Sequence, residues 1–76
     1  MKEILETIIE SLISDPSSLD IKEIPSEKEI KYEVRVGNGD MGRVIGKNGK
    51  IAKSIRTLMR AVASKENKKI VIEFVD

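Results

Sequence analysis

The chain has 76 residues, of which 39% are hydrophobic, and a formal net charge of +1. This length is enough for one small domain with a modest core. It contains no cysteine and no histidine, which excludes a disulfide framework, a thiolate metal site and an imidazole general base. We therefore expect no catalytic residues, no cofactor and no metal site. No apolar run reaches about 18 residues, so a cytoplasmic protein without membrane contact is expected.

The two halves of the chain carry opposite net charges. Residues 1–40 hold five basic and ten acidic side chains, for −5, whereas residues 41–76 hold nine basic and three acidic ones, for +6. Between residues 41 and 60 there are six basic side chains and no acidic one. Charge runs are often plain solvated faces, but a small domain polarised in this way is typical of proteins that bind a polyanion.

The first predicted element is an amphipathic helix over residues 1–14. Its apolar positions recur with helical spacing at Ile4, Leu5, Ile8, Ile9, Leu12 and Ile13. Pro16 ends the pattern, because the residue before a proline is pushed out of the α region. We expect the apolar stripe to pack on the core. The polar face is acidic, whereas an anionic membrane surface would attract lysine.

Three strands are predicted from alternation and β-branched content. Residues 19–24 alternate weakly and favour a short edge strand, followed by a turn at 25–29. Residues 30–36 alternate cleanly between apolar and charged side chains, which is typical of a strand with one buried face. Residues 70–75 form a β-branched run with few polar positions, which predicts a central or well-covered strand.

Two helices are predicted between the second and third strands. Asp40 is placed to cap a short helix from Met41 to Ile45. A longer helix is predicted over residues 50–64, with one apolar stripe. The stripe consists of Ile51, Ala52, Ile55, Leu58, Met59 and Val62. The opposite side of this helix carries Lys53, Arg56 and Arg60.

A glycine turn lies between these helices, in the segment Val44-Ile45-Gly46-Lys47-Asn48-Gly49-Lys50-Ile51. Its two glycines let the main chain approach a ligand closely, because no Cβ stands in the way. The free N–H groups that open the next helix favour an anion, and Lys47 and Lys50 add positive charge. The segment therefore predicts a phosphate-binding turn, with a plain surface turn as the alternative.

Two other glycine motifs do not fit. The spacing from Gly37 to Gly42 matches G-x-G-x-x-G, but the following helix is broken at Gly46 and no acidic residue lies between 41 and 65. A Walker loop requires Ser or Thr after its lysine, whereas Lys47 is followed by Asn48.

The pattern Val-Ile-Gly-x-x-Gly before an amphipathic helix resembles the signature loop of KH domains. In that family the loop joins two short helices and clamps the backbone of about four single-stranded nucleotides. The predicted order α-β-β-α-α-β is similar to that of type II KH domains, and the likeness to small stand-alone bacterial KH proteins covers nearly the whole chain. The expected fold class is α+β: a single KH domain over residues 1–76, with a three-stranded sheet and helices packed on one face. A right-handed crossover between the strands at 30–36 and 70–75 would set them parallel.

The resemblance implies a single-stranded RNA-binding module of low sequence selectivity, acting as an RNA chaperone or post-transcriptional regulator. The expected RNA-binding residues are Arg43, Ile45, Gly46, Lys47, Asn48, Gly49, Lys50 and Lys53. By the same resemblance, Ile45, the start of the next helix and the strand 30–36 would line a narrow groove for bases, with Ala52 giving it a shallower floor. Arg56 and Arg60 either contact RNA or are only solvated. Tyr32 and Phe74 fall on buried patterns, so aromatic stacking platforms are not expected.

Other functions remain open at this point. The resemblance implies pairing with itself or with a second KH-containing protein, and the chain can also be interpreted as a protein-interaction or dimerisation module with little nucleic-acid contact. Helix-turn-helix DNA binding is a further alternative, because two helices flank a glycine turn. The strands on both sides count against it.

Overall fold

The computed structural model describes residues 1–65 and 67–75. Its helices are α1 (Lys2–Glu10), α2 (Met41–Ile45) and α3 (Lys50–Val62), and its strands are β1 (Asp20–Pro25), β2 (Glu29–Arg35) and β3 (Lys69–Val75). Short 3-10 turns over Pro16–Ser18, Asn38–Asp40 and Lys47–Gly49 precede β1, α2 and α3. The predicted α+β order α-β-β-α-α-β is confirmed.

The three strands form one sheet in the order β1-β2-β3. β1 pairs antiparallel with β2, and β2 pairs parallel with β3, as the crossover through two helices predicted. Of the two alternatives predicted for residues 70–75, a central or a well-covered strand, the central position is wrong, because β2 is the central strand. The helices bury Ile70 and Ile72 on one face of β3, and Val71 on the other face is half-buried beside its register partner Lys31. An apolar run can therefore occur in an edge strand.

The helices cover one face of the sheet and enclose a single core. On β2 the buried side chains alternate, with Ile30, Tyr32 and Val34 facing the helices. α1 contributes Leu5 and Ile9, both with 0% exposure. This alternation confirms the strand predicted for residues 30–36.

α1 is shorter than predicted. It ends at Glu10, and a turn follows in which the Leu12 N–H donates to the Ile9 carbonyl oxygen at 2.9 Å. Ile13 is nevertheless buried. Apolar periodicity thus predicts which side chains face the core, but it does not predict the residue at which the helical hydrogen bonds end.

α3 presents most of the predicted apolar stripe to the core, with Ile51 partly buried beside it. Its buried side chains are Ala52, Ile55 and Met59, followed by Ala63. Leu58 and Val62, which the sequence assigned to the core, are 48% and 38% exposed. The prediction was wrong at these two positions, because the buried stripe continues to the small residue Ala63, whereas hydrophobicity alone favours leucine and valine. α3 also ends at Val62, before the predicted residue 64.

The other face of the sheet carries charges that compensate one another. Asp20 lies opposite Arg35 and Lys22 lies opposite Glu33 in the β1–β2 register. Lys31 Nζ lies 3.7 Å from Glu33 Oε2 and 3.4 Å from an oxygen of Glu73 on β3. None of the helices in residues 1–65 and 67–75 has the length and apolarity that a membrane crossing needs.

Candidate nucleic-acid interface

The Gly46–Gly49 segment is a turn between two helices, where the sequence analysis placed it. α2 ends at Ile45, and Gly46 adopts φ 77° and ψ 174°, a conformation essentially restricted to glycine. Asn48 (φ 58°, ψ 25°) and Gly49 (φ 74°, ψ 14°) both occupy the left-handed region. These positive φ angles break the helical path, and α3 begins at Lys50 in a new direction.

The two glycines of the turn have different surroundings. A Cβ at Gly46 would lie 2.6 Å from Ile51 Cγ1 and 2.9 Å from the Ile51 backbone nitrogen. Ile51 is partly buried and packs against the core, so it cannot simply move away. At Gly49, no heavy atom lies within 4 Å of the Cβ position. The fold thus requires glycine at position 46, whereas Gly49 leaves open space above the main chain, where an anion can approach.

The N-terminus of α3 faces the solvent without a cap. Its N-cap residue, Gly49, has no side chain, and the first turn of the helix contains no acidic residue. Unpaired N–H groups at such a terminus carry a partial positive charge. The N–H groups of Gly49 and Lys50 donate within the turn, to the carbonyl oxygens of Gly46 and Lys47. The turn therefore offers an anion open space and the positive end of the helix dipole.

Three predicted lysines are available for such a ligand. Lys47, Lys50 and Lys53 are exposed, and no ion pair engages them within residues 1–65 and 67–75. Asn48 is also exposed at the tip of the turn. The charges that the sequence grouped here are thus free to face a polyanion.

The arginines are placed differently from these lysines. Arg56 Nε donates to the carbonyl oxygen of Ile72 at 3.2 Å, and its guanidinium lies 5.6 Å from the centroid of the Phe74 ring. Arg56 therefore packs on edge strand β3, where its Nε is engaged by the main chain. Arg60 is exposed. Arg43 is 55% exposed, but its Nη1 donates to Asp40 Oδ1 at 2.7 Å.

The groove predicted beside Ile45 is not built as expected. Ile45 is half-buried at the end of α2. In β2, the strand predicted to line this groove, Tyr32 and Val34 have 0% exposure beneath the helices, and Ala52 has 2%. Because β2 is the central strand, its apolar side chains support the core and cannot reach a base. Of this set, only Ile45 is left at the surface.

Asp40 has a role that the sequence did not predict. It precedes α2, but its side chain makes no capping hydrogen bond. Its carboxylate instead accepts hydrogen bonds from Ser14 N–H (3.0 Å), Ser14 Oγ (2.9 Å), Asp15 N–H (3.2 Å) and Arg43 Nη1 (2.7 Å). Asp40 is only 2% exposed. The hydrogen bond from the Ser14 backbone is the main reason why the pKa of Asp40 lies below its usual value, and Arg43 lowers it further. No local pattern could reveal these contacts, because Ser14 and Asp15 lie 26 and 25 residues away.

These observations define the class of protein. A glycine turn between α2 and α3, both packed on a sheet in which β2 and β3 run parallel, is the arrangement expected of a type II KH domain. A helix-turn-helix module would sit in a helical bundle, whereas α2 has only five residues and the pair lies against a sheet.

Comparisons with known proteins identify the family within that class. The family model "KhpA/KhpB, KH domain" matches residues 2–74, and the chain belongs to this family. It is 48% identical over 75 residues to "RNA-binding protein KhpA" of Clostridium acetobutylicum, which covers 99% of this chain and 100% of the relative. It is 41% identical to the protein of that name from Chlamydia trachomatis, over 100% of this chain and 97% of the relative. No solved structure gave a significant match. The resemblance to small bacterial KH proteins is confirmed.

Proposed function

We propose that this chain binds single-stranded RNA through the Gly46–Gly49 turn. The observation that carries the proposal is the open space at Gly49 beside an uncapped helix N-terminus and three exposed lysines. The relatives are named RNA-binding proteins, which favours a nucleic-acid backbone as the anion. Contacts to sugar and phosphate position a strand without reading its bases, so low sequence selectivity follows.

The proposed contacts divide into main-chain and side-chain groups. The RNA backbone lies against the main chain of Gly46 to Gly49, where the positive end of the α3 dipole attracts the phosphate oxygens. Lys47, Lys50 and Lys53 neutralise adjacent phosphates, and Asn48 offers its amide at the tip of the turn. Ile45 supplies an apolar contact to a sugar or base. Arg43, in the last turn of α2, is the remaining proposed RNA-binding side chain.

A cytoplasmic RNA chaperone or post-transcriptional regulator is the cellular role that this binding mode favours. A protein that grips the backbone without selecting bases can act on many transcripts. Tyr32 is buried and Phe74 lies under Arg56, so neither provides an open stacking surface. Binding then depends on charge and on main-chain contacts.

The direct test replaces Lys47 and Asn48 by aspartate and measures binding to a labelled single-stranded RNA by fluorescence anisotropy. The chain offers a matched control in Asn67 and Lys68, since Asn67 is also left-handed, with φ 55°. Replacing Asn67 and Lys68 by aspartate makes the same change in net charge in the turn at the other end of α3. We expect the first variant to lose binding and the control to retain it. Equal losses in both would assign the effect to overall charge and overturn the proposed site.

The salt dependence of binding gives an independent measure of the contact. For a single strand, the log–log slope of affinity against salt is about −0.7 per phosphate neutralised, or roughly −3 for four nucleotides. Duplex DNA should compete poorly, because the turn follows one flexible backbone. A slope near zero, or preferential binding of duplex DNA, would contradict the proposal.

A second candidate function is supported by the exposed apolar side chains of α3. Leu58 and Val62 protrude beside Ala61 on the face away from the core. Such a face favours pairing with a second copy or with another KH-containing protein, which would make the chain a dimerisation module. Light scattering of the wild type and of Leu58→Lys tests the homodimer: we expect a dimer that the substitution converts to a monomer. A wild type that stays monomeric at high concentration would eliminate it.

A further inference from the structure

The Asp40–Arg43 pair joins a buried carboxylate to an exposed guanidinium at the start of the proposed RNA site. Asp40 is 2% exposed, whereas the Arg43 side chain is 55% exposed. Arg43 lies one helical turn before Gly46, whose N–H donates to the Gly42 carbonyl oxygen at 2.9 Å. The guanidinium is therefore held at the N-terminal end of α2, five residues of helix before the glycine turn, by a group inside the fold.

The hydrogen bonds around Asp40 show that its own position is fixed. Three of them come from the segment after α1, namely from Ser14 N–H, Ser14 Oγ and Asp15 N–H. These bonds hold the carboxylate whether or not Arg43 is present. The fourth, from Arg43 Nη1 at 2.7 Å, has the length of a charge-assisted hydrogen bond. Asp40 thus acts as a rigid acceptor for a side chain that otherwise has many rotamers.

Only one nitrogen of the Arg43 guanidinium is engaged within the described residues. Nε and Nη2 carry further N–H donors in a fixed plane. With Nη1 on Asp40, those donors are presented together from an exposed side chain. A planar fork of this kind suits a phosphate, which it can bind with two parallel hydrogen bonds.

We propose that Asp40 is a positioning residue for RNA binding: it orients Arg43 so that the free edge of the guanidinium meets a backbone phosphate next to the Gly46–Gly49 turn. The inference rests on the proposed function of that turn and adds a defined phosphate contact to it. Ordering an arginine before the ligand arrives removes part of the entropic cost of binding. Asp40 acts only through Arg43 and does not touch RNA itself.

The opposing possibility is that Arg43 only balances the buried charge of Asp40. Both possibilities predict that removing either partner weakens the fold. They differ in RNA affinity and in the salt slope. A guanidinium that neutralises a phosphate contributes about −0.7 to the log–log slope for a single strand, whereas one that serves only the fold contributes nothing.

A double-mutant cycle of Asp40→Asn and Arg43→Gln distinguishes a role of the Asp40–Arg43 pair in RNA binding from a role in folding alone. Affinity for a labelled single-stranded RNA is measured for the wild type, both single variants and the double variant, below the melting transition of the least stable one. We expect Arg43→Gln to weaken binding about tenfold and to flatten the salt slope by roughly 0.7. Asp40→Asn should weaken binding a fewfold in the wild type and have no further effect in the Arg43→Gln background.

Ser14→Ala serves as the matched structural control, because it removes a hydrogen bond to the same carboxylate without touching Arg43. It should lower the melting temperature and leave RNA affinity and the salt slope unchanged. An unchanged slope in Arg43→Gln, or an equal effect of Asp40→Asn in both backgrounds, would overturn the proposal. The variant with aspartate at positions 47 and 48 distinguishes failure of the proposed RNA site from failure of the proposed role of Asp40. If that variant still binds RNA, the site is wrong. If it loses binding but the effects of Asp40→Asn and Arg43→Gln are additive, only the role of Asp40 is rejected.

Discussion

At the scale of single residues, Gly46 and Gly49 serve the turn in different ways. Gly46 combines a conformation that other residues avoid with a contact to Ile51 that leaves no room for a Cβ. Gly49 has a left-handed conformation in open surroundings. A side chain at Gly49 would cost about 1–2 kcal/mol in backbone strain and would stand in the space proposed for a phosphate. Gly46 therefore determines the conformation of the turn, and Gly49 keeps its main chain accessible to a ligand.

Gly46→Ala should destabilise the protein by at least about 1–3 kcal/mol from backbone strain, with the clash against Ile51 added. Gly42→Ala is the matched control, since Gly42 lies within α2 and no heavy atom is within 4 Å of its Cβ position. Alanine there should raise stability by roughly 0.5–1 kcal/mol. Urea unfolding measures both changes. Equal stability of the two variants would show that the turn does not adopt the conformation described.

At the scale of elements, α3 shows how burial and hydrophobicity can differ. The helix turns Ala52 and Met59 toward the core and leaves Leu58 and Val62 in solvent. Two residues on its charged side have different surroundings, because Arg56 packs on β3 whereas Lys53 is exposed to solvent. One helix therefore supports the sheet, presents cations and exposes an apolar face.

Neighbouring residues of α3 give a direct test of this orientation. Met59→Ala removes a side chain with 0% exposure and should cost about 2–5 kcal/mol of unfolding free energy. Leu58→Ala changes a side chain that is 48% exposed and should stay within about 0.5 kcal/mol. Denaturant unfolding of the two variants at low protein concentration, where pairing is minimal, compares them. A larger loss for Leu58→Ala would contradict the observed orientation of α3 and would place Leu58 in the core, as the sequence predicted.

At the scale of the whole molecule, Asp40 links parts of the chain that are far apart in sequence. Its carboxylate joins the segment after α1 to the helix that leads into the glycine turn. The acidic first half of the sequence thereby places one buried negative charge beside the basic second half. That charge is compensated by Ser14, Asp15 and Arg43, so it does not counteract the positive surface at the turn.

Acid should weaken this link. Because the pKa of Asp40 is lower in the folded protein than its usual value, its contribution is complete above the unfolded pKa of about 3.9 and is lost as the pH falls through the lower folded value. Melting curves between pH 7 and pH 2 should therefore fall more steeply for the wild type than for Asp40→Asn. Parallel profiles would show that the carboxylate does not stabilise the folded state.

The sequence by itself determined the order of the elements, the position of the glycine turn and the basic segment around it. These features are local: side-chain periodicity marks a helix or strand, and two glycines three residues apart allow the turn wherever the chain folds. The most specific part of the family resemblance was likewise one continuous segment, from Asp40 to Arg60.

Only the tertiary structure decided which strand is central, how far the buried face of α3 extends and where Asp40 and Arg56 place their side chains. Each of these depends on partners distant in sequence, such as Ser14 for Asp40 and Ile72 for Arg56. Local sequence patterns do not predict such pairings, because the pairings form only when the elements pack together and each buried polar group needs a hydrogen-bond partner.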